Sequence, residues 1–377
     1  MSVLRALTSD WAVRAHGLER KHMTNRDAFR GLLRQHGRNT VSHQLLGAGW
    51  RHYLTPAGEA GIAFRESGSF ALAAGDPLCA PEETAAAIES FRRRCRGTGR
   101  RVAFVSASET VADVGRVLGL AAVKVGEEGL FDLGRYSFSG GTMKALRHHE
   151  SRARRRGLTV RMVQPGEPDW PAVAPALDHL ADAWLRTRSG GGMGFLLELR
   201  RPSDAIERDA TIFCAVLEGR AVAYLRAVPI YASGGVYLED YVYGEDVPDG
   251  TVEAMFHEAC DALRSRGAAY VTWGTSPLAG LDDEDFSDAP FVGRLLRAAF
   301  GRVSWPYNFR SLHAFKARFH PTRWAPKYLV FDRPFDIGLG LALARAYAPK
   351  PDLSSFFGRF LPGRREPHPA AALASRG

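Results

Sequence analysis

The chain has 377 residues, of which 45% are hydrophobic and 24% charged. These proportions are those of a globular protein and exclude a disordered or fibrous chain. Lys and Arg number 50 and Asp and Glu 41, which leaves a net charge of +9 with His neutral. Such an excess is typical of proteins that bind an anionic partner, and nucleic acid, an anionic membrane surface and an acidic small molecule all fit it.

The N-terminus and the cysteines indicate where the protein works. Residues 1–20 mix apolar residues with Arg, Asp and His, and they lack the apolar block of a signal peptide. No stretch reaches the roughly 18 apolar residues that a membrane span requires. The 4 cysteines are isolated from one another and from His residues, so we expect reduced thiols and no metal site. These features predict a cytoplasmic protein whose contacts with a bilayer are peripheral.

The first part of the chain alternates helix and strand signals. This is the order of an α/β unit, which we assign to a domain of residues 37–135 after a basic helical lead over 1–36. Its predicted elements are two short strands around a turn at 66–68, a helix over 84–96, a strand over 101–105, a helix over 110–118 and two strand-like runs over 121–133.

Turn-forming residues over 136–142 mark a boundary, beyond which the same alternation recurs. We therefore predict a duplication, with a second domain of residues 136–336 that holds the active site, and a C-terminal helix and flexible tail over 337–377. Within the tail, residues 353–361 fit a segment that lies on a membrane surface, or one packed back on the body. The predicted elements are helices over 143–156, 171–188, 251–266 and 291–300, and strands over 158–163, 211–217, 221–229, 235–243, 270–274, 312–319 and 328–331.

The densest charge feature is the basic helix over 143–156. Seven basic residues and one acidic residue fall between Lys144 and Arg161, which accounts for six of the nine net positive charges. On a helix, several of these side chains share one side and could follow a line of phosphates; a solvated helix face is the alternative. The candidate nucleic-acid-binding residues are Lys144, Arg147, Arg152, Arg154, Arg155 and Arg156.

Carboxylates gather at two places in the second half. Glu239 and Asp240 end a predicted strand, and Asp249 and Glu253 lie at the start of a predicted helix, so both pairs could reach one cleft. Such a cleft would bind an ammonium group or activate a nucleophile. Asp249 and Glu253 could instead serve only the helix N-terminus. Adjacent acids on a strand need a partner, which favours a functional interpretation of Glu239 and Asp240.

Aromatic residues recur with basic ones between Trp305 and Tyr328. Lys316 and His320 lie among them, so the segment could wall a pocket for an anionic or planar ligand, or could be a core strand with outward charges. Separately, Arg116 to Ala121 fits the short R-x-x-G-x-A phosphate loop of acyl-CoA-dependent acyltransferases. The motifs of dinucleotide-binding, P-loop, serine-hydrolase and zincin enzymes are missing from the sequence, which argues against those classes.

Several motifs occur in a recognisable order and spacing over residues 40–333. They are Gly75-Asp-Pro77, Lys124-Val-Gly-Glu-Glu128, Arg156-Gly157, Trp184, Pro248-Asp-Gly250, Gly274-Thr-Ser-Pro-Leu278, Tyr307-Asn-Phe309 and the run from Phe315 to Tyr328. In this order the chain resembles the cytoplasmic C-terminal domain of bacterial phosphatidylglycerol lysyltransferases, the multiple peptide resistance factors.

The resemblance implies two tandem acyltransferase folds of the Gcn5-related type, joined by the basic helix. It implies transfer of an amino acid from aminoacyl-tRNA, as co-substrate and without a bound cofactor, to phosphatidylglycerol or a related lipid or small-molecule acceptor. Under it, Glu239 and Asp240 bind the aminoacyl ammonium group or polarise the acceptor. Lys316, with His320, is catalytic and stabilises charge on the ester oxygen. Substrate-binding candidates are Trp184, Asp249, Glu253, Gly274, Ser276, Tyr307 and Asn308.

The sequence departs from the family in two respects. It lacks the membrane-spanning flippase region that precedes this domain in relatives, so we expect a stand-alone member that reaches anionic lipid only peripherally. Val242-Tyr243-Gly244 and Asp249 also stand where relatives carry an Arg and an Asn. An acyl-CoA-dependent N-acyltransferase and a catalytically silent binding protein of the same fold remain alternatives.

Overall fold

The computed structural model describes residues 24–186, 199, 201–204, 209–281, 288 and 309–347. Within these residues the strands form one mixed sheet of eleven. The strands are β1 (Arg51–Leu54), β2 (Gly61–Ser67), β3 (Phe70–Ala74), β4 (Arg101–Ala107), β5 (Ala121–Asp132), β6 (Thr159–Val163), β7 (Thr211–Leu217), β8 (Arg220–Ile230), β9 (Gly235–Tyr243), β10 (Tyr270–Pro277) and β11 (Arg323–Phe331).

Helices separate most of these strands along the chain, except within β1–β3 and within β7–β9. A 3₁₀ segment over Thr40–Leu46, the 40s segment, precedes β1. The helices are α1 (Asn25–His36), α2 (Thr84–Arg96), α3 (Glu109–Val117), α4 (Lys144–Arg155), α5 (Trp170–Arg186), α6 (Thr251–Ser265), α7 (Phe309–Ala317) and α8 (Ile337–Tyr347). No helix in the part of the chain that the structure describes has the length and apolar character needed to cross a membrane.

The strand order is β1-β2-β3-β4-β11-β5-β10-β9-β8-β7-β6. Two neighbouring pairs are parallel, β3 with β4 and β9 with β10, and in each pair the connection includes a helix, α2 or α6. The last strand of each half crosses over, because β11 pairs with β4 and β5 pairs with β10. The β5–β11 pair therefore lies at the middle of the sheet, where both halves of the chain meet.

Helices cover both faces of the sheet, and the strands show the corresponding alternation of apolar residues. In β3, Phe70 and Leu72 pack in the cluster that contains residues of α1 and α8. Ala71 and Ala73, which point to the other face, pack with residues of α2 and α3. The second half has the same construction, with α6 on one face and α5 on the other.

The structure confirms the predicted α/β class, and two predictions about individual elements are wrong. Residues 121–133 form one continuous strand, β5, in place of two runs. Residues 312–319, predicted as a strand, mostly belong to α7. Phe315 and Phe319 lie four residues apart and both contact Trp273, so the spacing is that of a helix face. The predicted helix over 291–300 and the tail segment over 353–361 lie outside the described residues.

Candidate functional site

The inner strands of the sheet, together with α7, carry a group of buried charged side chains, here called the polar cluster. Its members come from β5, β8, β9, β11 and α7, so the sheet brings together residues that are far apart in the sequence. Buried charges are rare unless they are paired or functional, which makes the cluster the candidate site. The polar cluster consists of Glu128, Arg226, Glu239, Asp240, Lys316 and Lys327.

Arg226 lies between the two predicted acids of β9. Its side chain is 2% exposed, with Nε 3.4 Å from an oxygen of Glu239 and Nη1 3.9 Å from one of Asp240. Gln44, from the 40s segment, donates to the other oxygen of Glu239 at 2.8 Å. Burial opposes the charged form of Arg226, but the two carboxylates outweigh it and raise its pKa. The adjacent acids thus have the partner that their placement on a strand required.

A β-bulge lets two adjacent residues reach one guanidinium. Arg226 is opposite Asp240 in the β8–β9 ladder, and the next pair is Ala227 with Leu238, so Glu239 is the extra residue. Neighbouring side chains on a regular strand point to opposite faces, but a bulge re-aims one of them. The irregularity therefore places both carboxylates beside Arg226.

Glu128 is the acidic centre of the other part of the polar cluster. Lys327 on β11 lies 2.7 Å from one of its oxygens, and the hydroxyls of Thr40 and Thr272 donate to it at 3.3 and 2.9 Å. The Glu128 and Lys327 side chains are only 3% and 9% exposed. Burial opposes the charge on Lys327, and Glu128 outweighs this and raises the pKa of the lysine. Glu128 thus joins β5, β10, β11 and the 40s segment.

Lys316 approaches the polar cluster from α7. Its Nζ donates to the carbonyl oxygens of Gly274 at 3.0 Å and Thr275 at 2.7 Å, where β10 is irregular. Burial lowers the pKa of Lys316 to about 7, and the charge of Glu128 only partly opposes this. Two of the three donors of the ammonium group are engaged by these carbonyls, which leaves the third for a ligand oxygen.

Tyr237, on the same strand as the carboxylate pair, packs beside the backbone that holds Lys316. A Cβ at Gly274 would lie 2.7 Å from the Tyr237 ring, which therefore packs directly on that glycine. Burial raises the pKa of the Tyr237 hydroxyl well above its usual value, and Glu239, Asp240 and Glu128 add to this effect. Carboxylates from both parts of the polar cluster thus raise the pKa of the same tyrosine.

Gly274 has a φ of +72°, which other residues rarely adopt. We expect Gly274→Ala to destabilise the protein by about 1–3 kcal/mol, because the methyl group adds backbone strain and collides with Tyr237. Since its carbonyl holds Lys316, activity should fall further than the loss of folded protein explains. Urea denaturation together with the rate per folded molecule checks this. Gly267→Ala, with a φ of +83° and no atom within 4 Å of the added Cβ, is the control.

The other predicted site residues fall in different places. Asp249 lies 3.8 Å from Arg152, and Glu253 lies 3.0 Å from Arg318, so each acid has a basic neighbour of its own. The N-cap of α6 is Gly250, with no side-chain cap, so Asp249 does not cap the helix, whereas Glu253 lies in its first turn as the alternative expected.

Three further candidates can be compared with the polar cluster, and two others cannot. Ser276 is fully buried on β10, and its hydroxyl finds no hydrogen-bond partner in the described part of the chain. Trp184 packs on the apolar cluster under α5. His320 is exposed and follows α7 at a φ of +55°, so its side chain is not part of the buried group. Tyr307 and Asn308 lie outside the described residues.

The basic helix α4 divides its charges between internal contacts and solvent. Arg147 donates to the carbonyls of Phe138 and Gly140, and Arg154 pairs with Glu150 and Glu258. Lys144, Arg155 and Arg156 are exposed. The side chains that could meet a phosphate backbone without first giving up such contacts are therefore fewer than the sequence suggested. 

The short match at Arg116 to Ala121 lies at the wrong end of a helix for a phosphate loop. α3 ends at Val117, and helix C-termini present carbonyl oxygens, whereas phosphate-binding loops use the N–H groups of an N-terminus. Arg116 is also engaged, with Asp288 and Asp113 each at 2.8 Å. The structure therefore gives the acyl-CoA alternative no support at these residues.

Arg226, Glu128 and Lys327 belong to the site although no predicted site motif included them. Glu128 and Lys327 lie in motifs that carried the family resemblance, and that is the signal that could have found them. Arg226 lies in the interior of β8, which carries no other charge beyond the exposed Arg220 at its start, and a buried charge there is uncommon.

Comparisons with known proteins agree with this architecture. The chain is 30% identical over 308 residues to the lysylphosphatidylglycerol biosynthesis bifunctional protein LysX of Mycolicibacterium gilvum, which is 81% of this chain and 28% of that protein. LysX of Rhodococcus opacus is 27% identical over 330 residues, covering 86% of this chain and 29% of the relative. The chain thus spans less than a third of the length of these curated relatives.

Two solved structures share the fold. A C-terminal domain assigned to a lysylphosphatidylglycerol synthetase from Agrobacterium fabrum has a TM-score of 0.71 and 25% identity, covering 86% of this chain and 97% of its own. L-PGS from Bacillus licheniformis has a TM-score of 0.71 and 24% identity, with 88% and 96% covered.

The large mixed sheet is therefore of the kind found in C-terminal domains of lysylphosphatidylglycerol synthetases. Residues 29–331 match the family described as phosphatidylglycerol lysyltransferase, C-terminal. The chain belongs to that family, as the motifs indicated.

Proposed function

We propose that the protein transfers an aminoacyl group from aminoacyl-tRNA to a hydroxyl of phosphatidylglycerol or a related acceptor. The observation that carries the proposal is the Glu239–Asp240 pair against the buried Arg226, together with Lys316, which donates to the carbonyl of the glycine on which the Tyr237 ring packs. Membership of the family and the names of the LysX relatives support the same chemistry. The site offers carboxylates for an ammonium group and a cation for a developing negative charge.

In the proposed reaction, the carboxylates of Glu239 and Asp240 accept hydrogen bonds from the α-ammonium group of the aminoacyl ester. The third N–H of the Lys316 ammonium group donates a hydrogen bond to the carbonyl oxygen of that ester. The acceptor hydroxyl attacks the carbonyl carbon, the bond to the tRNA ribose oxygen breaks, and the acceptor proton ends on that ribose oxygen. Because the ester is already activated, positioning and charge stabilisation can supply the catalysis without a covalent nucleophile.

We further propose that each half of the chain is an acyltransferase unit of the Gcn5-related type. The repeated order of strands and the two parallel pairs with their connecting helices support this. The exchange of β5 and β11 accounts for the single sheet. In this arrangement α4 follows the first unit and begins the second.

The tRNA contact is proposed for the exposed side chains of α4. Replacing Lys144, Arg155 and Arg156 with Gln should weaken tRNA binding, because charges that neutralise phosphates are lost. The slope of log K against log salt should become shallower by roughly 0.7–0.9 for each lost contact. Filter binding over a salt series measures both quantities.

A control variant removes two exposed arginines that lie outside α4. The Arg135 and Arg220 side chains are 85% and 79% exposed, and replacing both with Gln should leave tRNA affinity within about twofold. If the α4 variant binds tRNA as tightly as the wild type, α4 is a solvated face.

The activity is tested with radiolabelled aminoacyl-tRNAs, phosphatidylglycerol vesicles and, in a parallel reaction, a cytosolic small-molecule extract. Label that moves to lipid supports the lipid acceptor, and label that moves to a soluble product identifies another acceptor. Label that stays on tRNA while an acyl-CoA is consumed contradicts the proposal and favours an N-acyltransferase. No turnover in either assay, with tRNA still bound, would indicate a binding protein.

A further inference from the structure

One end of the sheet in the first half carries exposed arginines beside exposed aliphatic residues. α2 ends there, β4 begins there and β11 ends there, since Arg101 pairs with Phe70 and Phe331 pairs with Ala103. We call this end the arginine rim. Its members are Arg93, Arg94, Arg96, Arg333, Val117 and Ile337.

Direct contacts tie these elements together. Arg92, next to Arg93 on α2, donates to the carbonyl of Leu118 at the end of α3 and to Asp332 after β11. Arg101 donates to the carbonyl of Pro334 and pairs with Asp336, which precedes Ile337. The ends of α2 and α3 on one face of the sheet, and the start of α8 on the other face, thus lie at the same end of the sheet.

The rim keeps a positive surface because its acids are already engaged. Asp332 is buried and receives Arg92, Arg96 and the backbone N–H of Val102. The Arg96 side chain nevertheless remains 56% exposed, and that of Arg333, beside Asp288, 54%. Arg93 and Arg94 are exposed in the last turn of α2.

The aliphatic residues distinguish this surface from α4. Among the described residues, the exposed large hydrophobic side chains are Val117 at 87%, Ile337 at 82% and Leu341 at 48%. Val117 and Ile337 are on the rim, and Leu341 lies one helical turn beyond Ile337 on the exposed face of α8. Ile337 and Leu341 are therefore neighbours on one helix, and neighbouring exposed aliphatic side chains beside a positive surface indicate an interaction site.

We propose that the arginine rim docks the protein on an anionic lipid surface. Basic residues are attracted to anionic headgroups, and neighbouring aliphatic side chains gain free energy by entering the headgroup boundary. RNA phosphates would also bind the arginines, but RNA would not bury the aliphatic side chains of Val117, Ile337 and Leu341. Proteins bind RNA bases mainly through aromatic stacking and polar contacts. The rim would hold the enzyme where a lipid acceptor is found, a consequence that rests on the proposed function.

The experiment measures co-sedimentation of the full chain with vesicles of pure phosphatidylcholine and of phosphatidylcholine with 30% phosphatidylglycerol, without tRNA. The wild type should bind the anionic vesicles and release them at high salt. Arg93→Gln with Arg94→Gln should weaken binding roughly 30-fold, since each basic residue near the surface contributes about fivefold. Ile337→Ser with Leu341→Ser should weaken it roughly tenfold or more.

The double variant Arg135→Gln and Arg220→Gln removes the same charge elsewhere and should bind vesicles like the wild type. Equal binding to both vesicle types, or rim variants that bind like the wild type, would overturn the proposal. So would rim variants that lose tRNA and keep lipid. Transfer to a short-chain phosphatidylglycerol below its micelle concentration tests the proposed function separately, because that reaction needs no docking.

Discussion

Arg226→Met should destabilise the protein by about 3 kcal/mol at pH 7. The guanidinium is 2% exposed and faces the carboxylates of Glu239 and Asp240, whose side chains are 6% and 14% exposed. Removing one partner of a buried charge group costs several kcal/mol, because the remaining charges lose the interaction that offset their desolvation. Methionine has a similar length, so the change tests charge more than volume. Urea denaturation followed by circular dichroism gives the difference.

The pH dependence separates this cause from a packing defect. In the Met variant the folded state should take up protons on its carboxylates more readily than the unfolded chain does. Stability of the variant relative to the wild type should then improve as the pH falls from 7 towards 4.5. A deficit that stays constant over this range would contradict the electrostatic explanation.

A control residue lies on the same strand. Arg220 begins β8 and its side chain is 79% exposed, so Arg220→Met should change stability by less than about 0.5 kcal/mol. Transfer activity should fall strongly in Arg226→Met and stay unchanged in Arg220→Met. Arg226→Lys keeps one positive charge and should lie between the two in stability.

The demand for a cation beside Glu239 and Asp240 could be predicted from the sequence, but its source could not. Arg226 lies thirteen residues earlier, and its position depends on the register of β8 with β9 and on one bulge. Register is set by which faces are buried in the finished sheet. A local sequence pattern therefore predicts that the two acids have a cationic partner, but it does not predict which residue that partner is.

The same limit applies to Glu128. Its contacts come from Thr40, Thr272 and Lys327, and Lys327 reaches it because β11 is inserted between β4 and β5. Hydrophobic periodicity predicted most of the individual strands and helices, since it is a local property. The order of strands is a long-range property, and the crossing of β5 and β11 leaves no signal in the composition of either strand.

The crossed strands have a consequence for the candidate site. β5 supplies Glu128 and β11 supplies Lys327, while Arg226 and the acids come from β8 and β9. Neither half alone carries the whole polar cluster. The site should therefore form only when both halves have folded together, and a fragment that ends before β11 would lack Lys327 and the anchor that it gives Glu128.

The second large effect is expected at Lys316. Lys316→Met should reduce the transfer rate by about 100- to 1000-fold, because it removes the cation proposed to meet the ester oxygen. Affinity for tRNA should change little, since the side chain is buried on β10 carbonyls away from the exposed face of α4. Single-turnover rates and filter binding on the same samples separate the two. An equal loss in rate and in binding would make Lys316 a docking residue.

The titration of Lys316 provides a test that does not depend on the size of the rate loss. Burial lowers its pKa to about 7 from 10.5, so the wild-type rate should fall as the pH rises through about 7 and the ammonium group loses its proton. Lys316→Arg, which stays charged, should be less active but should lack this decline.

Stability should show the opposite trend. Between about pH 7 and 10.5 the unfolded chain holds a proton on Lys316 that the folded protein has released, so wild-type stability gains from rising pH in this window. Lys316→Met has no such group. It should be more stable than the wild type at pH 6 by about 1–2 kcal/mol, and this advantage should shrink towards pH 10. A variant that is less stable than the wild type at both pH values would show that Lys316 holds the fold together, whereas the expected result identifies a buried charge kept for its chemistry.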